Sequence, residues 1–219
     1  GIKIYWSHSV VDTDGYTRLK KISIMELSKD NQSVVGVKKN INCDCLGIAG
    51  GWTPTVHLFT QSGGKLKFNE EDQVFLPNEY SSEQISIGSC NGDFELDKII
   101  KNLSTSLKKF LKIEKTDYDN LNVECSFNES KKNIWLLPSD TAIGKTKPFV
   151  DYQNDATAKD IKLALREGYR SIEHVKRYTT TGMGTDQGKL GNMHALGIIA
   201  DTAGIKMSEL GTTTFRPPY

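Results

Sequence analysis

The run Tyr178-Thr179-Thr180-Thr181-Gly182-Met183-Gly184 places three consecutive hydroxyls ahead of two glycines, with Lys176 and Arg177 before it and Gln187 and Lys189 after it. Hydroxyls, accessible backbone N–H groups and positive charge are the donor set that holds a phosphate or a ribityl chain. The same composition also serves plain helix caps and turns. A second stretch, Gly50-Gly51-Trp52-Thr53-Pro54, lets the backbone approach a ligand closely at its glycines and sets an aromatic plane and a hydroxyl beside them. The alternative for this stretch is that Trp52 and His57 pack a domain seam.

Other reactive side chains form no constellation. Cys43, Cys45, Cys90 and Cys125 include one close pair, at C-x-C spacing, and no second pair completes a four-thiolate metal site. Reduced thiols, the close pair lying in a strand, are the simpler account. His8, His57, His174 and His194 present no nucleophile and base with an orienting third residue, so no catalytic residue is assigned and His57 reads as structural.

Elements that position these residues follow from periodicity. From Gly1 to about Ala49, apolar residues alternate or form short runs at Ile2 and Ile4, Ile22 and Ile24, Val34 to Val37, then Leu46 and Ile48, which reads as strands. Residues 19–27 and 34–40 predict a hairpin across Lys29-Asp30-Asn31-Gln32. Gly50 to Pro54 ends a strand in this reading, and residues 74–76 and 85–87 are two further short strands. Residues 93–111 read as a helix, with Leu96, Ile99, Ile100, Leu103, Leu107 and Leu111 on one face.

Residues 113–147 are polar, relieved by Ile134-Trp135-Leu136-Leu137-Pro138, and read as a connector. Helical periodicity follows. Thr157 and Asp160 suit a capping box, Gly168 a stop, Ser171 the cap of a helix carrying Ile172, Val175 and Tyr178, and residues 192–203 a third helix closed by Gly204. The prolines of Arg216-Pro217-Pro218 demand an extended exit.

Charge and length narrow the function classes. The 28 Lys+Arg and 27 Asp+Glu leave a net charge of +1, without the one-signed field that recruits nucleic acid. No apolar run approaches the roughly 20 residues that cross a bilayer, and no secretory leader opens the chain, so a cytoplasmic location is expected. The strand meander and Gly-Gly-Trp-Thr-Pro suggest the back half of a two-dinucleotide flavoprotein, yet no G-x-G-x-x-G follows a strand anywhere. The chain therefore reads as a piece of a longer polypeptide.

Three segments in order carry a family resemblance: residues 43–58, Phe149-Val150-Asp151-Tyr152-Gln153-Asn154-Asp155, and Glu173 through Gly188. Together they resemble the alpha subunit of heterotetrameric sarcosine oxidase. The resemblance implies an α+β fold: the C-terminal part of a FAD/NAD(P)-binding Rossmann-like domain followed by a small three-helix module. It divides the chain into a partial NAD-binding domain (1–112), the connector (113–147), the helical module (148–205) and an extended linker (206–219) toward a folate-binding domain outside this chain. It implies a cytoplasmic complex with beta, gamma and delta subunits that oxidises sarcosine to glycine, releasing hydrogen peroxide and forming 5,10-methylenetetrahydrofolate in one-carbon metabolism. FAD would lie in the beta subunit, FMN between alpha and beta with its covalent link to beta, and tetrahydrofolate in the folate domain, while this segment alone would be inactive. NAD would meet Trp52, Thr53, Leu58 and Thr60, and one FMN wall would be Thr179, Thr180, Thr181, Gly182, Gln187 and Lys189.

The helical module also resembles the iron–sulfur module of bacterioferritin-associated ferredoxins, but Asp151, Gln153, Asp186 and Gly191 stand where that pattern has cysteines. No cluster is expected without thiolates. Two alternatives stand beside the sarcosine oxidase reading: an alpha-type subunit of a related amine, opine or proline dehydrogenase complex, and a protein-docking module without cofactor.

Overall fold

The computed structural model describes residues 1–219 except 82, 120, 122, 124–132, 214, 215 and 217–219. The readings that rest on Cys125 and on the prolines at 217 and 218 lie outside the described residues.

β1 (His8–Asp14), β2 (Lys21–Leu27) and β3 (Val34–Asn42) form an antiparallel meander in sequence order. Ile22 faces Thr13 on one side and Ile41 on the other, and Leu27 faces Val34, which is the expected hairpin. Its turn closes on side chains: Ser33 N–H donates to Ser28 Oγ at 3.0 Å and Gln32 N–H to Asp30 Oδ1 at 3.1 Å, with Asn31 left-handed at φ 60°. Such local bonds replace the ladder where the chain reverses. Ile22, Ile24 and Met25 are buried on β2, the central strand.

Several expected strands are not formed. The chain before His8 lies outside any strand, as do residues 43–56, 80, 81 and 83–87. β3 ends at Asn42, so Cys43 and Cys45 are not strand residues, Leu46 and Ile48 do not form one, and Gly50-Gly51 terminates none. A strand persists only where a neighbour pairs its backbone, and four glycine and proline residues between 47 and 54 leave this stretch little to pair with. The chain instead forms a short helix, α1 (His57–Gln61), and a hairpin of β4 (Lys65–Asn69) and β5 (Val74–Glu79). Only β5 was anticipated. The Leu66/Phe68 alternation that marks β4 is interrupted by lysines on the solvent side.

α2 (Leu96–Leu111) begins three residues later than the periodicity suggests, and its apolar stripe is only half covered: Leu96 is 47% and Leu111 55% exposed. Beyond it, β6 (Phe149–Asp151) and β7 (Ala156–Thr157) form a small hairpin leading into α3 (Ala158–Arg166). Thr157 donates both its backbone N–H and its hydroxyl to the Asp160 carboxylate, at 2.8 and 2.7 Å, satisfying an orphan N–H at the helix start. α4 (Ile172–Thr179) and α5 (Asn192–Ala203) follow as expected, α5 closing on left-handed Gly204. A further helix, α6 (Met207–Leu210), replaces extended chain at the start of the expected 206–219 linker, because Met207 is buried in the core.

That core is centred on Ile161, Val175, Leu196 and Ile199, each at most 1% exposed. It also takes in Phe68 and Phe75, whose rings meet edge-on at 5.0 Å, and Trp135, Leu136 and Ile143 from the polar stretch. A methyl group on Gly197 of α5 would overlap the Trp135 ring, so the indole lies directly on the helix backbone. The core thus draws residues from both sides of the expected boundaries at 112 and 147. Ser139 Oγ, donating to the Val11 carbonyl at 3.1 Å, and a 3.0 Å Lys38–Asp140 ion pair tie the same stretch to the sheet.

Candidate functional site

The loop between α4 and α5 is built on irregular backbone. Thr180, Gly182, Gln187 and Gly188 all have positive φ, at 61°, 72°, 51° and 77°, so a regular ladder cannot satisfy its amides. Side chains do so instead. The Asp151 carboxylate, 5% exposed, accepts the N–H groups of Gly182 (2.6 Å), Gln153 (2.8 Å) and Asn154 (3.1 Å), and the Asn154 side-chain amide (3.2 Å). Burial works to raise the Asp151 pKa, but these donors outweigh it and leave the carboxyl below its ordinary value.

Sequence-derived residues divide into inward and outward sets. Thr179 and Thr181 are buried; their hydroxyls bond each other at 2.7 Å, and Thr179 Oγ1 also donates to the Val175 carbonyl at 2.8 Å. Gly182 is buried against Asn192, and Gln187 is half-buried, its amide donating to the Gly184 carbonyl at 2.9 Å. Thr180 and Lys189 face outward, beside Met183 at 52% and Leu190 at 69% exposed. The Thr180 hydroxyl donates to the Thr179 carbonyl at 2.6 Å, which leaves its lone pairs but not its proton for a ligand.

In the second stretch Trp52 (75% exposed), Thr53 and Leu58 (81%) point to solvent, whereas Val56, His57 and Phe59 are buried. Thr60 is half-buried, its hydroxyl donating to the His57 carbonyl at 3.0 Å. Burial, and then the charge of Lys189, hold the His57 pKa below its ordinary value, so the ring is neutral at pH 7. Gly50 lies beside the His194 ring, with 3.7 Å from its Cβ direction to Cε1 and Nε2. The two stretches, more than 120 residues apart, therefore come near one another: Gly50 lies against His194, and His57 is within electrostatic reach of Lys189.

Two supporting groups were not read as such from the sequence. Asp151 and Gln153 were noted only as positions without cysteine, although Asp-Tyr-Gln-Asn carries the Asp that bonds backbone two and three residues ahead. Asn192, buried at the start of α5, donates to the Gln187 carbonyl and to Thr213 Oγ1. Among the described residues no group of three or more His, Cys, Asp or Glu is placed to hold a metal ion. No helix among them is long and apolar enough to cross a membrane.

Mixed helix and strand, with a meander and a helical bundle on one chain, define an α+β protein whose fold is shared with L-proline dehydrogenase from P. horikoshii. That structure superposes with a TM-score of 0.58 at 18% identity, over 95% of this chain and 42% of the other. Residues 145–219 match the sarcosine oxidase A3 domain. The sarcosine oxidase alpha subunit of Rhizobium meliloti (strain 1021) is 33% identical over 95% of this chain, and that of Corynebacterium sp. (strain P-1) 32% identical over 100%. The chain is a homologue of the sarcosine oxidase alpha subunits along its whole length, and it spans 22–23% of theirs.

Proposed function

We propose that this chain is the part of a sarcosine oxidase alpha subunit that holds NAD through Trp52, Thr53, Leu58 and Thr60 and supplies one wall of an FMN site through the 179–189 loop. The whole complex, with beta, gamma and delta subunits in the cytoplasm, oxidises sarcosine to glycine. Hydrogen peroxide is released and the one-carbon unit passes to tetrahydrofolate. FAD sits in the beta subunit.

The observation that carries this reading is the unbroken similarity to alpha subunits, from the meander through the Gly loop. The geometry is compatible with it. Lys189 brings a positive charge to the outer face of the loop, where Met183 and Leu190 offer apolar surface to an isoalloxazine edge or a neighbouring subunit. Trp52 and Leu58 offer exposed apolar surface of the kind a nicotinamide dinucleotide covers. Buried Thr179 and Thr181 support the loop rather than touch the flavin, which shifts the direct contacts to Thr180, Gln187 and Lys189.

A specific observation keeps the second reading in play: the fold is shared with a proline dehydrogenase chain. Fold does not choose the substrate. The deciding experiment purifies the protein with its co-expressed partners, measures FAD and NAD released on denaturation and FMN retained on the denatured chains, and compares sarcosine with proline as electron donor, with oxygen and with an artificial dye as acceptors. Stoichiometric FMN and NAD with sarcosine-dependent peroxide supports the assignment. Proline turnover without sarcosine turnover selects the dehydrogenase alternative, and an assembly free of flavin leaves a docking module.

A further inference from the structure

The β6–β7 turn grips the Gly loop at two points. At the first, Asp151 takes the Gly182 N–H, and Asn154, itself held by Asp151, donates its side-chain amide to the Thr180 carbonyl at 3.2 Å. At the second, the Gln153 carboxamide donates to Thr185 Oγ1 at 2.9 Å and accepts the Asp186 N–H at 3.1 Å. Asp186 in turn accepts from Gly188 N–H at 3.1 Å and Leu190 N–H at 3.3 Å. The backbone from Thr180 to Leu190 thus hangs on four side chains, three of them from a hairpin about thirty residues earlier.

The residue types are what this task requires. All four groups that meet Asp151 are N–H donors, and only a carboxylate, with two acceptor oxygens and no hydrogen of its own, can receive them all. An asparagine would turn a donor toward a donor. Gln153 gives to Thr185 Oγ1 and accepts from the Asp186 N–H and, at 3.2 Å, from the Thr185 hydroxyl, and a carboxamide can do both. A side chain at Gly184 would collide with Gln153, so a glycine sits opposite the grip.

We propose that Asp151 and Gln153 are positioning residues for the candidate flavin site: together they clasp the loop at Gly182 and at Thr185-Asp186, and thereby fix the outward placement of Thr180 and Lys189. The ligand's identity rests on the function proposed above, whereas the clasp itself rests on the hydrogen bonds alone. Loss of either grip frees the loop to sample other backbone states while the Ile161–Ile199 core, which is held by apolar packing and by none of these hydrogen bonds, stays formed.

The test uses the protein as purified with its partners and three variants: Asp151→Asn, Gln153→Met and, as a control away from the loop, Lys67→Gln. Backbone amide exchange is followed at Gly182 and Asp186 and in α3 and α5, and the dissociation constant for added FMN is measured on complex assembled without flavin, before the covalent link to the beta subunit forms. Asp151→Asn is expected to speed exchange at Gly182, and Gln153→Met at Asp186, each at least tenfold with α3 and α5 unchanged. Each is expected to weaken FMN about tenfold, while Lys67→Gln alters neither. If Asp151→Asn does not fold, Gln153→Met decides the question from its more exposed side. Unchanged exchange in the loop overturns the clasp. Faster exchange with unaltered FMN affinity overturns the positioning role, since the loop would then be stapled for stability alone. Failure of the parent protein to bind FMN, with the exchange pattern as expected, overturns the flavin reading and the positioning role with it but leaves the clasp standing.

Discussion

At Asp151 and His57 the direction of the pKa shift is the same and the physical origin opposite. Asp151 is held charged by donors, so its folded pKa lies below the ordinary carboxyl value of about 3.9. Its stabilising contribution is whole above that value and is lost as pH falls through the lower, folded pKa. Melting temperature should therefore fall more steeply in the parent, as pH drops below about 4, than in Asp151→Asn, which has no such proton to take up; superimposable profiles would show that the carboxylate charge is not used. His57 is held neutral by burial and, secondarily, by Lys189, so the unfolded chain takes up its proton first, near pH 6.5. Stability is lost as pH falls from that value toward the folded pKa. The charge of Lys189 is separable from the burial. Lys189→Met should raise the His57 ring pKa in an NMR titration; an unmoved His57 would mean that the Lys189 charge does not reach the ring.

Among the elements, α5 and the polar stretch before β6 are joined by one contact that no helical pattern announces. Gly197 is helical and buried, and its lack of a side chain is what lets the Trp135 ring lie on the helix. Gly197→Ala gains helix propensity worth about 1 kcal/mol but must push the indole off its seat, and overpacking of that kind costs about 1–3 kcal/mol. Net destabilisation of up to about 2 kcal/mol is expected, with a red-shifted Trp emission, since Trp6 and Trp52 are already largely exposed at 79% and 75%. A more stable variant with unchanged emission would place Trp135 elsewhere. This contact also shows where the sequence stops being readable. α3, α4 and α5 were legible because a capping box, a serine cap and terminal glycines mark their ends, and the β2–β3 hairpin because β-branched residues flank an Asp-Asn turn. Residues 43–54 carry similar apolar spacing and form no strand, because pairing depends on a partner the spacing does not reveal. The Thr-Gly loop was legible as a polar, irregular connection. Its inward and outward hydroxyls were not, since Asp151 and Gln153 reach it from outside its own segment.

On the scale of the whole molecule, both candidate cofactor stretches carry apolar surface without cover, as do Ile2, Trp6, Tyr16 and Val37 elsewhere. Ile48, Trp52 and Leu58 are each at least 75% exposed, and Met183 and Leu190 form a second group. The chain spans about a fifth of its curated relatives, so much of what would border these residues in those proteins lies outside it. The FMN assignment makes a demand on this surface that a docking surface would not. Lys189 is the outward cation of the loop, whereas the Thr180 proton is already committed to the Thr179 carbonyl. Lys189→Ala should therefore weaken the noncovalent hold on FMN, before its link to the beta subunit forms, by about 1.5–3 kcal/mol, the range for a hydrogen bond to a charged group, or roughly 10- to 150-fold, and so lower the FMN incorporated. Thr180→Val, which removes a hydroxyl already satisfied within the chain, should cost distinctly less. Sarcosine should still reduce the FAD of the beta subunit at the parent rate, because that chemistry is assigned to another chain. Reoxidation by oxygen should slow in proportion to the FMN lost. Anaerobic rapid mixing with sarcosine, followed by mixing with oxygen and a flavin assay on the same sample, separates the two half-reactions. If Lys189→Ala retains its FMN and reoxidises at the parent rate, the loop contributes no charge to the flavin phosphate, and its exposed Met183 and Leu190 are left as a protein-docking face.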